Sequence, residues 1–292
     1  MVEMRDEWKP WLAHLDDVIS VASGAIQAYD GVRHTQQEHA FILLLNRATE
    51  NLGAILCLFR AGWENDATAL LRTLTDIYLD VRYIRADRAE RLERFRDYSI
   101  VANLWKKQLV EALYARKVDD LIREDFSRAS TRGIVRDDIR CADDYVAAYN
   151  AEVARAQAKW EFKRSGWAKH DAARKANIVD QHVNNGTNET ENVYNLIYRM
   201  TSEALHSGIG GALRGVTFEG TSATLEHQAR TPRASGLLVL AFSSFLFMKI
   251  VDYVNAELEL GLAPDLLRLE KAHCTLLGPV RLPSSSATGP SA

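Results

Sequence analysis

The chain has 292 residues, of which 47% are apolar and 26% charged; it is long enough to bury a sizeable core and ordinary for a globular protein. Its 36 Lys and Arg against 39 Asp and Glu leave a formal charge of −3, which argues against a general polyanion binder while leaving local basic patches open. Cys57, Cys141 and Cys274 stand far apart. They form neither a paired metal-ligand spacing nor a disulfide framework, and point to a reducing cytoplasmic setting.

The first segment, Met1 to Glu7, is charged and has no signal-peptide core. Apolar residues at helical spacing (Trp8, Trp11, Leu12, Leu15, Ile19, Val21, Ile26) predict a helix from about Asp6 to Tyr29. A second helix is expected over Gln36–Ala61, with Phe41, Leu44, Leu45, Leu52, Ile55, Leu56 and Phe59 as its core stripe and Gly62 as its stop. The third, from about Asn65 to Arg85, carries Leu70, Leu74, Ile77, Tyr78, Val81 and Ile84 on one stripe. Arg72 and Asp76 lie opposite, flanked by Ala69, Leu79 and Tyr83. A helix apolar nearly all round is expected to be buried all round, so both charges need partners. They form either an i,i+4 ion pair or part of a cavity shared with His206.

Asp87 is positioned to cap a fourth helix running through Phe95, Tyr98, Ile100, Val101, Leu104, Trp105, Leu109 and Leu113, with Arg88–Arg96 as a solvated face. Residues 116–142 are dense in charge and read as a helical excursion or a connection outside the core. Helical composition resumes over Ala142–Ala176. Lys159, Lys163, Arg164 and Lys169 there alternate with Trp160, Phe162 and Trp167, which suits either phosphate contacts with base stacking on RNA or a core with a wet basic side. Asn184 to Thr187 is turn chemistry, and Thr190 is the expected N-cap of a helix over Tyr194–His206. Residues 214–231 read as a short hairpin or irregular insertion. A long apolar helix from Ala234 to Leu260 suits the centre of a bundle; Ser243, Ser244 and Lys249 within its most apolar run favour a buried helix over a membrane span. Pro264 opens a last helix to about His273, and residues 278–292, rich in Pro, Ser and Gly, read as a disordered tail.

Together these segments predict an all-α multi-helix bundle of long antiparallel helices, with residues 1–277 as a single helical domain. No Gly-rich phosphate loop, HExxH or nucleophile elbow occurs, and no metal or cofactor is expected.

Arg199, Ser202, Glu203 and His206 recur at spacings of three, four and seven and share one helical face. Of the four Arg–His pairs with short spacing (the others are Arg33 with His39, Arg164 with His170, and Arg268 with His273), only Arg199 and His206 return to within about 20° on a continuous helix. Such a pair suits metal-independent RNA cleavage. Histidine removes the ribose 2′-hydroxyl proton and arginine stabilises the charge building on the phosphate. Tyr198, Ser202 and Glu203 would orient them. One histidine does not readily act as both base and acid, so a homodimer is expected.

Two segments resemble a known family. Ala69-Leu70-Leu71-Arg72-Thr73-Leu74-Thr75-Asp76, on to Arg82-Tyr83-Ile84, resembles the Arg-x3-Glu helix of the bacterial "domain of unknown function 5677", with Asp76 where that family usually has Glu. Tyr198-Arg199-Met200-Thr201-Ser202-Glu203-Ala204-Leu205-His206-Ser207 resembles its Tyr-x3-Ser-x3-His helix. The helical layout is similar to the HEPN group, whose members include ribonucleases of toxin–antitoxin and phage-defence systems. That group often has Asn, Asp or His after the arginine, where this chain has Met200. The resemblance implies a cytoplasmic RNA-cleaving effector with Arg199 and His206 as catalytic residues and Arg72 and Asp76 supporting them. Its partners would be RNA, a second copy of the chain and an antitoxin or other defence protein, with no membrane. A different class of reading stays open: a non-catalytic binding or regulatory protein in which Arg72, Asp76, Tyr198 and His206 form a buried polar network or small-ligand pocket.

Overall fold

The computed structural model describes the backbone of residues 5–29, 36–131, 135, 138–162, 167–182, 188–205, 216–219, 222–225 and 233–278, and the side chains of these except 36, 37, 65, 199, 200, 202–205, 216–219, 222–225 and 233–235. After a 3-10 turn at Asp6–Trp8 the described elements are α1 (Lys9–Tyr29), α2 (Gln36–Ala61), α3 (Glu64–Ala86), α4 (Arg88–Tyr114), α5 (Val118–Thr131), α6 (Ala142–Lys159), α7 (Ala172–His182), α8 (Glu189–Leu205), α9 (Arg233–Leu258) and α10 (Ala263–Leu277). One hairpin, β1 (Val216–Glu219) with β2 (Ser222–Leu225), pairs antiparallel with Val216 opposite Leu225. The protein is an all-α bundle with one small hairpin insertion. The expected tail, 278–292, lies outside the described residues except for Gly278.

The chain divides into two compact units: residues 1–83 with 172–292, and residues 84–171. In the first, α1 packs on α2, α9 and α10, and α9 packs on α2 and α10. The core stripe expected of α2 is buried in full, as are Leu240, Leu246, Phe247, Ile250, Val251 and Val254 of α9. α2 ends in a Schellman closure: Trp63 N–H reaches Leu58 O at 2.8 Å and Gly62 N–H reaches Phe59 O at 3.1 Å, with Gly62 at φ 80, a conformation glycine adopts without Cβ strain. Gly236 gives α9 its close approach to the 3-10 turn before α1, since a Cβ there would lie 3.0 Å from the Trp8 ring.

By length and composition, Glu38–Ala61 and Gly236–Leu258 are long and apolar enough to cross a membrane, with mean hydropathy 1.4 and 1.9. The serines and lysine of α9 therefore do not disqualify it on composition. Its packing against three helices is what a core helix shows.

In the second unit, α6 packs on α4 and α5, and α5 on α4. Four expectations need correction. α4 buries only Leu92, Asp97, Val101 and Lys107; Leu109 and Leu113 are exposed, because α5 and α6 cover one side of the helix. Asp87 occupies the N-cap position without a capping side-chain bond. Residues 118–131 contribute to the unit's core through the fully buried Ile122. Finally, the helix expected over Ala142–Ala176 stops at Lys159. Trp160 turns extended (φ −126, ψ 135), which directs its indole N–H onto Asp97 at 2.9 Å.

Candidate functional site

One polar junction of the first unit joins α3, α7 and α8. Asp180, buried in the last turn of α7, accepts from the Thr190 N–H at 2.9 Å and the Glu191 N–H at 2.8 Å. It thus satisfies two of the backbone donors that a helix start leaves orphaned. Thr190 is therefore not the cap that the sequence suggests; it lies inside the first turn of α8. Its hydroxyl instead accepts from Arg82 at 2.6 Å, and Arg82 also donates to the Tyr78 hydroxyl at 2.7 Å. Among the described residues of α8, Thr190, Tyr194, Ile197 and Thr201 are buried, a spacing of four, three and four that makes one inward stripe.

Arg72 meets α8 two turns further along. Its guanidinium lies over the Tyr198 ring at 4.3 Å and donates to the Tyr198 hydroxyl at 2.7 Å, while Tyr198 packs on Tyr194 at 4.9 Å. The expected Arg72–Asp76 ion pair is not made; arginine reaches across to α8 rather than along α3. Asp76 is exposed rather than buried, so α3 is not enclosed all round, and within its apolar stripe Leu71 takes the buried place expected of Leu70. Though exposed, the Asp76 carboxyl is crowded: partial dehydration and the Asp80 carboxylate raise its pKa, opposed by Lys175, Arg72 and Arg47. Asp80 is itself held by Lys175 at 2.5 Å.

Arg199, Ser202 and Glu203 lie on the unbroken backbone of α8; their side chains, and His206 entirely, are outside the described residues. At about 100° per residue, position 199 falls roughly opposite Ile197 and Thr201. The described residues on that outer side, Asn192, Asn195 and Leu196, are exposed, Leu196 at 51%. Of the other Arg–His pairs, His273 is buried while Arg268 is exposed and pairs with Asp17 and Asp265, so these two form no joint site.

The basic-aromatic stretch is built into the second unit. Lys159 binds both Glu93 oxygens at 2.7 Å and sits over Trp160 at 5.0 Å. Arg94 lies beside Trp160 and Phe162 and donates to the Trp167 and Glu161 carbonyls at 2.9 and 3.1 Å. Phe95 packs edge-on to Trp167, and Tyr98 to Phe162. These rings serve packing rather than standing open for base stacking. Lys169 is exposed, and Lys163 and Arg164 lie outside the described residues.

The node that organises this unit is one that sequence reasoning missed. Asp97 is wholly buried and accepts from Arg155 at 2.7 and 3.0 Å, from Arg96 at 2.9 and 3.2 Å, and from Trp160. Burial alone would raise its pKa; the bonds from Arg155, Arg96 and Trp160 outweigh that and hold it low. Its signal was its phase, since Asp97 stands in line with Val101 and Leu104. Along the outer side of α4, Tyr98, Ala102, Trp105, Leu109 and Ala112 line an open apolar groove of about 460 Å³, which includes none of the expected site residues. No group of three or more potential metal ligands occurs among the described residues.

This is an all-α protein whose polar helix α8 is fastened to α3 by two arginines and to α7 by an aspartate cap. The sequence profile of a family of unknown function, DUF5677, matches residues 38–221, well over half of the chain, and the protein belongs to that family. No curated protein and no solved structure matches it.

Proposed function

We propose that the protein is a cytoplasmic, HEPN-like RNA-cleaving effector of a toxin or phage-defence type that works without a metal, with Arg199 as phosphate clamp and His206 as base. The observation that carries this reading is the continuity of α8 through Leu205. A spacing of seven returns to one side of a regular helix, and Asn192, Asn195 and Leu196, on the side of position 199, are exposed. Tyr198, held by Arg72, stands one residue before the clamp and fixes the rotation of the helix there. Asp76, Ser202 and Glu203 are supporting groups, and Lys159, Lys163, Arg164 and Lys169 are secondary RNA contacts. A homodimer would supply the second histidine as acid, and an antitoxin or other defence protein would restrain the activity. The test is cleavage of RNA by purified protein with a chelator present. His206→Ala is expected to lower the rate by about 100-fold or more, the usual weight of a general base, while leaving thermal stability unchanged. No cleavage by wild type would defeat the proposal.

The Arg72–Tyr198 bond also favours a second reading, a non-catalytic binding or regulatory protein in which Arg72, Asp76, Tyr198 and His206 set helix register. In that case His206→Ala destabilises the fold and the wild type is inactive on RNA.

A further inference from the structure

One buried polar chain lies away from these residues. His14 of α1 meets the Ser244 hydroxyl of α9 through Nε2 at 2.9 Å, and the same oxygen meets Nδ1 of His273 on α10, again at 2.9 Å. All three residues are buried, Ser244 completely. The two rings stand 5.9 Å apart, with the Trp11 ring edge-on to His273 at 5.2 Å. The chain therefore joins three helices that pack on one another through one hydroxyl.

A hydroxyl carries a single proton. With both imidazoles neutral, one donates to Oγ and the other accepts from it, so the two tautomers are complementary. A first added proton can sit on the outer nitrogen of the donating ring and leaves the chain intact. A second turns the accepting nitrogen into a donor, displaces the hydroxyl proton from the axis and places two imidazolium ions in one apolar core. That arrangement is costly without a counter-charge.

The surrounding charges do not provide an adequate one. Asp17 of α1 favours the charged form of His14, but Arg268 of α10 opposes it and is itself paired with Asp17 at 3.6 Å. Glu270 of α10 favours charged His273, yet shares its carboxylate with Lys249 of α9 at 3.5 Å. From α2, Arg60 is held by Asp16 of α1. Burial depresses both histidines, with mutual repulsion adding at His14, which titrates at about 4.

We propose that His14, Ser244 and His273 form an acid-operated latch that docks α10 on α1 and α9 at neutral pH and lets it go when both rings are protonated. Release uncovers the apolar side of α10 formed by Leu266 and Leu269, both buried when docked, while the α1–α2–α9 core stays folded.

The test is hydrogen exchange by mass spectrometry on the full chain, corrected for the pH dependence of intrinsic exchange, from pH 7.5 down to about 4. Peptides from α10 are expected to lose about tenfold or more of their protection below pH 6, ahead of peptides from α2. In His273→Gln, which leaves only His14 to take a proton, the acid loss of α10 protection is expected to be several-fold smaller over the same range. Unchanged α10 protection in wild type overturns the proposal, as does its loss together with α2 or an unaltered acid response in His273→Gln. Should His273→Gln fold poorly, the comparison of α10 with α2 in wild type decides alone.

Discussion

Replacing Asp97 by Asn keeps the shape of the side chain and removes its charge. The carboxylate accepts five N–H groups from Arg96, Arg155 and Trp160. The amide keeps one acceptor and turns its nitrogen, with two donors of its own, toward donors from Arg155 or Trp160. Breaking a buried charge pair costs about 3–5 kcal/mol when the remaining charge is trapped. Here the Arg155 and Arg96 side chains are 42% and 36% exposed, so water takes over part of their solvation. The indole N–H of Trp160, which is part-buried, costs about 1–3 kcal/mol where it is left unpaired. We therefore expect a loss of about 2–4 kcal/mol, confined to the unit of residues 84–171. The assay is urea unfolding followed by far-ultraviolet circular dichroism, with peptide-resolved hydrogen exchange to locate the change. Because the folded Asp97 pKa is depressed, its contribution is present above the unfolded carboxyl value and fades as pH falls through the folded one. Wild type and Asp97→Asn should thus converge in stability in strong acid. A loss under about 1 kcal/mol at neutral pH, or one spread equally over both units, would refute the assignment of Asp97 as the organising node.

Other expectations follow from the same contacts. Asp180→Ala removes the acceptor for two N–H groups of α8 and should cost about 1–2 kcal/mol, read as faster exchange at Thr190 and Glu191; unchanged exchange there would show that the cap is idle. A double-mutant cycle of Arg72→Ala with Tyr198→Ala should give a coupling of about 0.5–1.5 kcal/mol, and additive losses would mean that the pair does not tie α3 to α8. Acid should weaken the unit that contains His14. An unfolded histidine takes its proton near 6.5 and folded His14 only near 4, so stability is whole above 6.5 and falls by roughly 3 kcal/mol as pH drops through that window. A Tm independent of pH from 6.5 to 4 would contradict the buried, neutral His14.

Periodicity made the helices legible, and least ambiguously where one face is buried. The stripe of α2 is an example: seven apolar positions were expected in the core, and all seven are there. It misled where a helix is covered on one side only, as at Leu109 and Leu113, because apolar residues at helical spacing do not say how many neighbours a helix has. Chain reversals governed by side-chain bonds were equally hidden. Nothing local to Trp160 breaks a helix; the break follows from Asp97, far away in sequence. Of the candidate site, the position of Arg199 on an unbroken helix was legible, as was the relation of Arg72 to the Tyr198 helix. The choice between the partners of Arg72 was not, since one-turn spacing offered an ion pair with Asp76 as readily as a network with Tyr198, and tertiary contact decided for the phenol. The histidine–serine chain was also invisible, because each member looks like an isolated polar residue in an apolar stripe.

The three attachments of α8 follow one another along the helix: the Asp180 cap at its start, the Arg82–Thr190 bond in the first turn and the Arg72–Tyr198 bond two turns on. All three polar attachments lie before residue 199, so the helix behaves as a shaft pinned near one end, held beyond the last pin by the packing of buried Thr201. The torsional setting of that shaft is adjustable from α3, by the length and hydrogen-bonding capacity of residue 72. Arg72→Lys would keep the charge while shortening the reach, and so offers a way to turn the far end of α8 without altering a single residue on it.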